Sequence, residues 1–173
     1  MRLFLGVDGG QSGTTVLIGD ESGRVLGAGE AGPCNHAGAE EGRARFERAV
    51  EEGLAAACAR AGLDAATVCF ESACLGMSGG PDDKQAILAG MLRAERLMVT
   101  TDAAIALAGA TATGQGIVAI AGTGSMAFGR NGEGRTARAG GSGSWRPSSP
   151  RNTPPKARCL RVALGAAKSR SRT

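Results

Sequence analysis

The chain has few of the residues on which many enzymes and secreted proteins depend. Its 173 residues include no tyrosine and one histidine, and only 3% are aromatic. The core must therefore be built from Ala, Val, Leu and Ile, and the length suffices for one domain with a substantial core. No apolar run approaches the roughly 20 residues that a membrane-spanning helix needs, so we expect no membrane partner.

Cysteine is present, but in a pattern that excludes two common uses. The five cysteines form no Cys-x-x-Cys pair, and their odd number argues against a disulfide framework or a zinc site. We predict that they are buried thiols, with Cys69 and Cys74 on opposite faces of one strand. The start of the chain, Met1–Leu5, is too short for a secretory signal, so the expected location is the cytoplasm.

Acidic residues are missing from the last part of the chain, and this absence marks a boundary. Residues 1–141 contain 12 Lys and Arg and all 16 Asp and Glu, a net charge of −4, whereas residues 142–173 contain 8 Lys and Arg and no acid. The overall charge of +4 therefore averages two different segments. Four of the six prolines also follow residue 141, where hydrophobic periodicity is absent. We predict a disordered basic tail at 142–173.

A glycine-rich turn between two apolar runs is the most informative feature that the sequence does contain. The runs are Leu3–Val7 and Val16–Ile18, and Asp8 follows the first of them. Glycine allows a tight turn and a close approach of backbone N–H groups to phosphate oxygens, and a neighbouring carboxylate can hold Mg²⁺ through water. An ordinary glycine-rich hairpin with a solvated acid explains the same segment. Its residues are Asp8, Gly9, Gly10, Ser12, Gly13, Thr14 and Thr15.

Hydrophobic periodicity and turn residues predict the element order βββαβαβαβββ. This order indicates an α/β domain with a mixed sheet, helices on the faces of the sheet, and ligand loops at strand ends. The pair Asn131–Gly132 predicts a type I′ turn before the last strand. The predicted strands lie at 3–7, 14–19, 24–29, 67–75, 97–100, 115–121, 126–130 and 135–139, and the predicted helices at 39–61, 81–93 and 102–112.

Three further loops carry polar groups at positions where a ligand could bind. Asn35 and His36 follow the third strand, Asp102 stands between a strand and a helix, and Gly122–Ser125 is a second turn of glycines and hydroxyls. Two phosphate-binding turns and an isolated carboxylate are what phosphoryl transfer to an alcohol requires, because the carboxylate can accept the proton of the attacking hydroxyl. Each loop also has a structural explanation. Asp102 is a suitable helix N-cap, and Gly122–Ser125 is a suitable hairpin tip. Asn35 is a suitable turn residue, and His36 fits a packed side chain better than a base.

These loops and their order resemble the BadF/BadG/BcrA/BcrD ATPase and N-acetylglucosamine kinase family, within the larger group of actin, Hsp70 and sugar kinases. The matching segments are GVDGGQSGTTVLIGD, GPCNH, LGMSGG, TTDAAIALAGA and IVAIAGTGSMAFGRNGEG, and they cover residues 1 to about 141. The resemblance implies a ribonuclease H-like lobe of the actin-like ATPase type. It also implies ATP- and Mg²⁺-dependent phosphorylation of an amino sugar such as N-acetylglucosamine or glucosamine.

The resemblance further implies a role for each residue of the site. Asp102 matches the catalytic base, and Asp8 matches the residue that holds the Mg²⁺ ion. The residues that match positions around the nucleotide phosphates are Asp8, Gly9, Gly10, Gly13, Thr14, Thr123 and Gly124. The residues that match positions on the sugar side are Asn35, Ser125, Met126, Gly140 and Gly141.

The resemblance stops after Gly140 and Gly141. In the family, this double glycine is followed by Trp-Gly, a Gly-Asp-Glu-Gly-Ser segment and a second lobe that carries the adenine pocket. This chain continues instead with SGSWRP from Ser142. We expect residues 1–141 to be an N-terminal kinase lobe and residues 142–173 to be out-of-frame sequence, with little or no kinase activity from this chain alone. Apolar surface meant for a second lobe would then favour self-association or a homodimer.

Two other functions stay open at this point. An activator ATPase of a dehydratase, from the same family, would need paired cysteines at a subunit interface. A non-catalytic sugar-sensing module of the same fold would carry a DNA-binding domain. No helix-turn-helix precedes Met1, and Trp145 is the one aromatic residue of the basic tail, so specific nucleic-acid binding is not expected.

Overall fold

The elements of the chain follow one another in the order that the sequence predicts. A computed structural model describes residues 1–34, 40–79, 84–121 and 125–140. Within these residues the strands are β1 (Leu3–Gly9), β2 (Thr14–Asp20), β3 (Val25–Ala31), β4 (Ser72–Met77), β5 (Leu97–Thr101), β6 (Gly116–Ala121), β7 (Ser125–Arg130) and β8 (Thr136–Gly140). The helices are α1 (Glu40–Ala61), α2 (Gln85–Met91) and α3 (Asp102–Ala110).

The first five strands form a mixed sheet in the order β3-β2-β1-β4-β5. β1 pairs with β2 in antiparallel orientation and with β4 in parallel orientation, and β4 pairs with β5 in parallel orientation. The carboxyl ends of β1, β4 and β5 therefore meet at one edge of the sheet. Open α/β sheets bind ligands at this edge.

Helix α1 covers one face of this sheet at unusually short range. A Cβ atom on Gly27 would overlap the carbonyl oxygen of Ala57, and one on Gly29 would overlap the carbonyl oxygen of Gly53. Glycine at these positions lets the helix backbone lie directly on β3. The helix contributes a buried stripe to the core, as its periodicity predicts. That stripe comprises Phe46, Ala49, Val50, Leu54, Ala57 and Cys58.

Helix α3 lies against the opposite face of the same sheet. A Cβ atom on Gly76 of β4 would overlap Ile105 of α3, so the glycine admits the helix to close contact. Ala103, Ile105 and Leu107 are the buried residues of α3. Helices thus cover both faces of the sheet, which confirms the predicted α/β architecture.

The last three strands form a sheet of their own. Their order is β6-β7-β8, all antiparallel, and the described residues contain no pairing between them and the first five strands. The sequence predicts a mixed sheet followed by a C-terminal hairpin, and β6 and β7 form that hairpin, with β8 as a third strand. Among the described residues the second sheet packs on α3, and all of its residues are half-buried or exposed. Hydrogen bonding between strands that are distant in the chain decides which strands share a sheet, and hydrophobic periodicity within one strand carries no information about it.

The turn before β8 also differs from its prediction. A type I′ turn needs a positive φ at both central residues, but Gly132 is not among the positive-φ glycines. The residue in the left-handed region is Gly134, with φ +79°. Asn131 N–H donates to the carbonyl oxygen of Arg135 (3.0 Å) and closes a three-residue loop. The Asn131 side chain accepts hydrogen bonds from the N–H groups of Glu133 and Arg135, which fixes this longer turn.

The segment before β4 is a turn where the sequence predicted the start of a strand at Thr67. Asp64 accepts hydrogen bonds from Ala66 N–H (3.0 Å) and from the Thr67 hydroxyl (2.8 Å), so these residues turn before β4 begins at Ser72. Cys69 is consequently exposed, and the prediction that it is a buried thiol is wrong. Cys34, Cys58 and Cys74 are buried as predicted.

None of the helices in the described ranges combines the length and apolar character needed to cross a membrane.

Candidate active site

The candidate site lies where β1, β4 and β5 end and α3 begins. Asp8 is paired in register with Gly76 of β4, and Gly76 is paired with Thr100 of β5. Paired residues of neighbouring strands share a face, so Asp8 lies on the face that α3 covers. Asp102 is the first residue of α3, directly after β5. The topology thus brings the two predicted acids, which are far apart in the sequence, to one edge of the sheet.

The two carboxylates are close enough to influence each other. The pKa of the Asp8 carboxyl is raised, chiefly because surrounding protein partly removes it from water and also because the negative charge of Asp102 opposes its ionisation. The Asp8 side chain stays open to solvent on one side. A raised carboxyl pKa means that the fold disfavours the ionised form. Asp8 therefore lowers the stability of the fold as pH rises from the ordinary value of 3.8 through the folded-state pKa.

Asp102 is held at the start of α3 by the helix itself. Thr101 is the N-cap, because its hydroxyl oxygen accepts from Ala104 N–H (3.3 Å). The N-cap explanation for Asp102 is therefore wrong. Asp102 occupies the first helical position instead, where its carboxylate accepts from Ala103 N–H (2.7 Å) and benefits from the positive end of the helix dipole.

The turn between β1 and β2 is a tight loop that carries exposed polar groups. Gly10 N–H donates to the carbonyl oxygen of Gly13 (2.9 Å), and Cys34 N–H donates to the carbonyl oxygen of Gly10 (3.2 Å). Gly9 is buried, and a Cβ atom on it would overlap Met77 and Cys34. The glycines thus allow a narrow turn anchored against the core. Gln11 and Ser12 are exposed at its tip.

The two threonines after this turn have different surroundings. Thr14 is 2% exposed, and its hydroxyl donates to the carbonyl oxygen of Gly32 (2.8 Å), so its side chain fixes the turn to the end of β3. Thr15 is exposed and pairs in register with Asp8. The hydroxyl beside the acid is thus that of Thr15. The role of Thr14 in phosphate binding stays a prediction.

Three residues predicted for the sugar side come together in the second sheet. Met126 is paired in register with Gly140, and Ser125 begins the same strand. Gly140 has φ +82°, and a Cβ atom on it would lie 2.5 Å from the carbonyl oxygen of Ser125. Only glycine fits this contact, because side chains rarely adopt this φ. Helix α3 contacts both this sheet and β1, so it joins the two groups of site residues.

Four predicted site residues lie outside the described part of the chain. They are Asn35, Thr123, Gly124 and Gly141, and His36 also lies there. Their roles remain predictions.

Sequence reasoning missed a buried lysine near the same edge. Lys84 is 2% exposed and stands one residue before α2, with its Nζ close to Gly79. Its charge acts on the Cys34 thiol, whose pKa is nonetheless raised because burial outweighs that attraction. Lys84 follows two aspartates in the first turn of the helix predicted over 81–93, and such a charged run is typical of an exposed helix start, so the sequence carries no signal of its burial.

The residues present fit a magnesium ion with few protein ligands. No cluster of three or more His, Cys, Asp and Glu side chains occurs in the described ranges. Mg²⁺ commonly binds through one or two carboxylates, with waters and substrate phosphates as its other ligands. Partial burial, and beside it the negative charge of Asp102, raise the pKa of Asp8, and a cation at this solvent-accessible carboxylate would offset both effects. Asp8 is the residue that would hold this ion.

Solved structures define the class of this protein. A crystal structure of a proposed N-acetylglucosamine kinase from Chromobacterium violaceum matches with a TM-score of 0.69 and 31% identity, over 83% of this chain and 50% of that chain. A glucokinase of the ROK family from Streptomyces griseus, solved with glucose and AMPPNP, matches in fold with a TM-score of 0.54 and 22% identity, over 85% and 48%. The fold is therefore that of the actin-like ATPases and sugar kinases.

Sequence comparison identifies the family within this class. Residues 5–167 match the BadF/BadG/BcrA/BcrD ATPase family, and the chain belongs to it. The match continues beyond residue 141, so the boundary expected there stays a prediction.

Two curated relatives carry kinase names. The N-acetylmuramic acid/N-acetylglucosamine kinase of Clostridium acetobutylicum is 34% identical over 150 residues, which are 83% of this chain and 47% of the relative. The N-acetyl-D-glucosamine kinase of Dictyostelium discoideum is 32% identical over 164 residues, with 82% and 48% covered. The chain spans about half the length of the curated relatives it matches.

Proposed function

We propose that this chain supplies the phosphate-binding and proton-accepting half of an ATP-dependent kinase of amino sugars such as N-acetylglucosamine or glucosamine. The observation that carries the proposal is the position of Asp8 and Asp102 at one edge of the sheet, beside the Gly10–Gly13 turn. Two curated relatives named as kinases of such sugars support the choice of substrate class. Residues 1–141 are proposed as the functional unit.

The two acids have different environments and therefore different proposed roles. Asp102 opens a helix, and its carboxylate accepts a single backbone hydrogen bond at 2.7 Å, so oxygen lone pairs remain to accept the proton of a sugar hydroxyl. Asp8 is crowded by protein and repelled by Asp102, which makes it the better position for a cation. A bound Mg²⁺ would neutralise charge on the transferring phosphoryl group. The Gly10–Gly13 turn would orient the phosphates with its backbone N–H groups.

The second sheet is proposed to complete the site from the other side of α3. Gly116 lies near Thr111 and Leu107, so β6 starts at the carboxyl end of α3. At about 1.5 Å per helical residue and about 3.3 Å per strand residue, the nine residues of α3 span about 13 Å and the six of β6 about 20 Å. A β6 that runs back along α3 would therefore carry Ala121 at least as far as the start of the helix at Asp102. Ser125 and Met126 would then face the sugar.

The cysteines weigh against an activator ATPase. That function would need an exposed pair of cysteines at an interface. Within the described ranges Cys34, Cys58 and Cys74 are buried, and Cys69 is the exposed one.

A binding and turnover experiment tests the proposed function. The full chain should gain thermal stability from ATP with Mg²⁺, and Asp8→Asn should remove the part of this gain that depends on Mg²⁺. For turnover, residues 1–141 should replace the matching half of the Clostridium acetobutylicum kinase, with ADP release measured in the presence of N-acetylglucosamine or glucosamine. Asp102→Asn should lower kcat by about 10²- to 10⁴-fold with little change in KM, because only proton acceptance is removed.

The matched control is Asp64→Asn, which changes an equivalent charge in the turn before β4, remote from the site. It should leave ADP release unchanged. If the hybrid is active and keeps its kcat after Asp102→Asn, Asp102 is not the base. If ATP raises the thermal stability of the chain equally with and without Mg²⁺, Asp8 is not the cation ligand.

A further inference from the structure

Cys34 is a buried thiol at the base of the turn between β1 and β2, and the proposed function makes no use of it. Cys34 is 1% exposed and comes shortly after the end of β3. Its backbone N–H donates to the carbonyl oxygen of Gly10 (3.2 Å), inside the turn. Its sulfur occupies the space that Gly9 leaves free, since a Cβ atom on Gly9 would lie 2.5 Å from it. The side chain and the backbone of this one residue thus both contact the start of the turn.

The same sulfur atom lies where three strands reach the turn. The thiol donates to the sulfur of Met77 (3.9 Å), which is the last residue of β4 and is fully buried. Thr14, the first residue of β2, has its hydroxyl beside the thiol. Gly9 ends β1 and is paired in register with both Thr14 and Met77. Cys34 therefore fills the point at which the ends of β1, β2 and β4 meet.

The thiol acts through its volume and not through its reactivity. Burial raises the pKa of Cys34, and the hydroxyl of Thr14 and the charge of Lys84 offset this effect only in part. A neutral, buried thiol is a poor nucleophile and behaves as a small apolar group. Its sulfur packs against Gly9 and Met77, so its removal would leave a cavity beside the last residue before the turn.

We propose that Cys34 is a positioning residue, whose side chain holds the Gly10–Gly13 turn where its backbone N–H groups can bind nucleotide phosphates. The inference rests on the proposed function, in which this turn binds phosphate. Several N–H groups must point at one anion to bind it, so a small shift of the turn weakens binding. The glycines give the turn few side-chain atoms with which to resist such a shift. The packed sulfur at its base supplies that resistance.

Two buried cysteines of the full chain provide a matched test. Cys34 and Cys58 are each 1% exposed, but Cys58 lies in α1 next to Ala57, which contacts Gly27 near the other end of β3. Substitution by alanine removes the same buried atom from each, so both variants should have a lower midpoint of thermal unfolding. Titration calorimetry with ATP and Mg²⁺ then separates a positioning role from a structural one.

The expected result is a difference in affinity between the two variants. Cys34→Ala should raise the Kd for ATP with Mg²⁺ by about tenfold or more, the effect of losing one hydrogen bond to a charged phosphate. Cys58→Ala should bind as the wild type does. Cys34→Ser, which keeps a smaller atom in place of the sulfur, should have a Kd between those of the wild type and Cys34→Ala.

Amide hydrogen exchange measures the turn without any ligand. Gly10 N–H donates to the carbonyl oxygen of Gly13 (2.9 Å), so its exchange rate reports how often the turn opens. Cys34→Ala should increase this rate by about tenfold, because local opening becomes easier when a packed group is lost. Cys58→Ala should leave it unchanged.

Failure of this inference and failure of the proposed function give different results. A wild-type chain that does not bind ATP with Mg²⁺ would overturn the proposed function and this inference with it. A wild type that binds, together with a Cys34→Ala variant of equal affinity, would overturn this inference alone. An exchange rate at Gly10 that Cys34→Ala leaves unchanged, or an equal loss of affinity in Cys58→Ala, would do the same.

Discussion

The meander β1–β2–β3 and the meander β6–β7–β8 are built alike and packed differently. Each has a glycine-rich connection between its first two strands. Each also has a turn of five residues between its last two strands, counted with the hydrogen-bonded pair that closes it: 20–24 in the first meander and 131–135 in the second. In the first turn Asp20 accepts from Ser22 N–H and Arg24 N–H, and Gly23 has φ +89°. In the second, Asn131 makes the equivalent pair of contacts two and four residues ahead. The last turns of the two meanders are therefore stabilised by the same local hydrogen bonds.

The surroundings of the two meanders are different. The first is extended by β4 and β5 and covered on one face by α1, with α3 against β1 on the other face, and it contributes to the main buried core. The second is packed on α3 and keeps exposed residues on all three strands. Because burial of apolar surface supplies most folding stability, we expect the first region to be stable and the second to open locally.

Large-to-small substitutions at two phenylalanines give the largest expected difference. Phe46 is fully buried beneath the first sheet, whereas Phe128 on β7 is half-buried. Phe46→Ala should lower the free energy of unfolding by about 3–5 kcal/mol, and Phe128→Ala by about 1 kcal/mol, because less apolar surface is lost. Urea denaturation measures both. Equal losses would show that the second sheet is as well packed as the first.

Two glycine substitutions test the close contact between α1 and β3. Gly29→Ala adds a Cβ atom that overlaps the backbone of Gly53, so it should lower stability by about 1–3 kcal/mol or more. Gly32→Ala adds the same atom in open space and should change stability by less than about 0.5 kcal/mol. Thermal unfolding of both variants checks this, and a Gly29→Ala protein as stable as Gly32→Ala would refute the contact.

Substitutions at Asp20 and Asn131, which begin the two turns, should have the smallest effect on stability, and the two effects should differ in their pH dependence. Hydrogen bonds from Ser22 and Arg24 lower the pKa of Asp20, so its ionised form stabilises the fold above the ordinary value of 3.8. Asp20→Ala should therefore lower the free energy of unfolding at neutral pH. This loss should become smaller as the pH falls through the lowered folded-state pKa of Asp20. Asn131→Ala should cost about 1 kcal/mol at every pH, because its amide does not titrate. If Asp20→Ala lowered the stability equally at every pH, the ionised Asp20 carboxylate would not be what stabilises the turn.

Much of the fold could be predicted from short-range patterns. The stripe of α1 follows from its periodicity, β1 and β2 follow from two apolar runs around a glycine turn, and Asp8 and Asp102 follow as acids at strand ends. The errors arose where local signals compete. Asn131–Gly132 resembles a type I′ turn, but the longer turn gains two side-chain hydrogen bonds from Asn131. Thr101 acts as N-cap in place of Asp102 because its hydroxyl accepts from the third residue beyond it.

The amino-acid order alone determined the sequence of strands and helices, the glycine turns and the two acids, since each depends on neighbours a few residues away. Only the tertiary structure decided that β6–β8 form a separate sheet, that Thr15 and not Thr14 stands beside Asp8, and that Lys84 is buried. Strand pairing and burial join residues that are distant in the chain. Their free energy depends on which surfaces meet, and no local pattern encodes that.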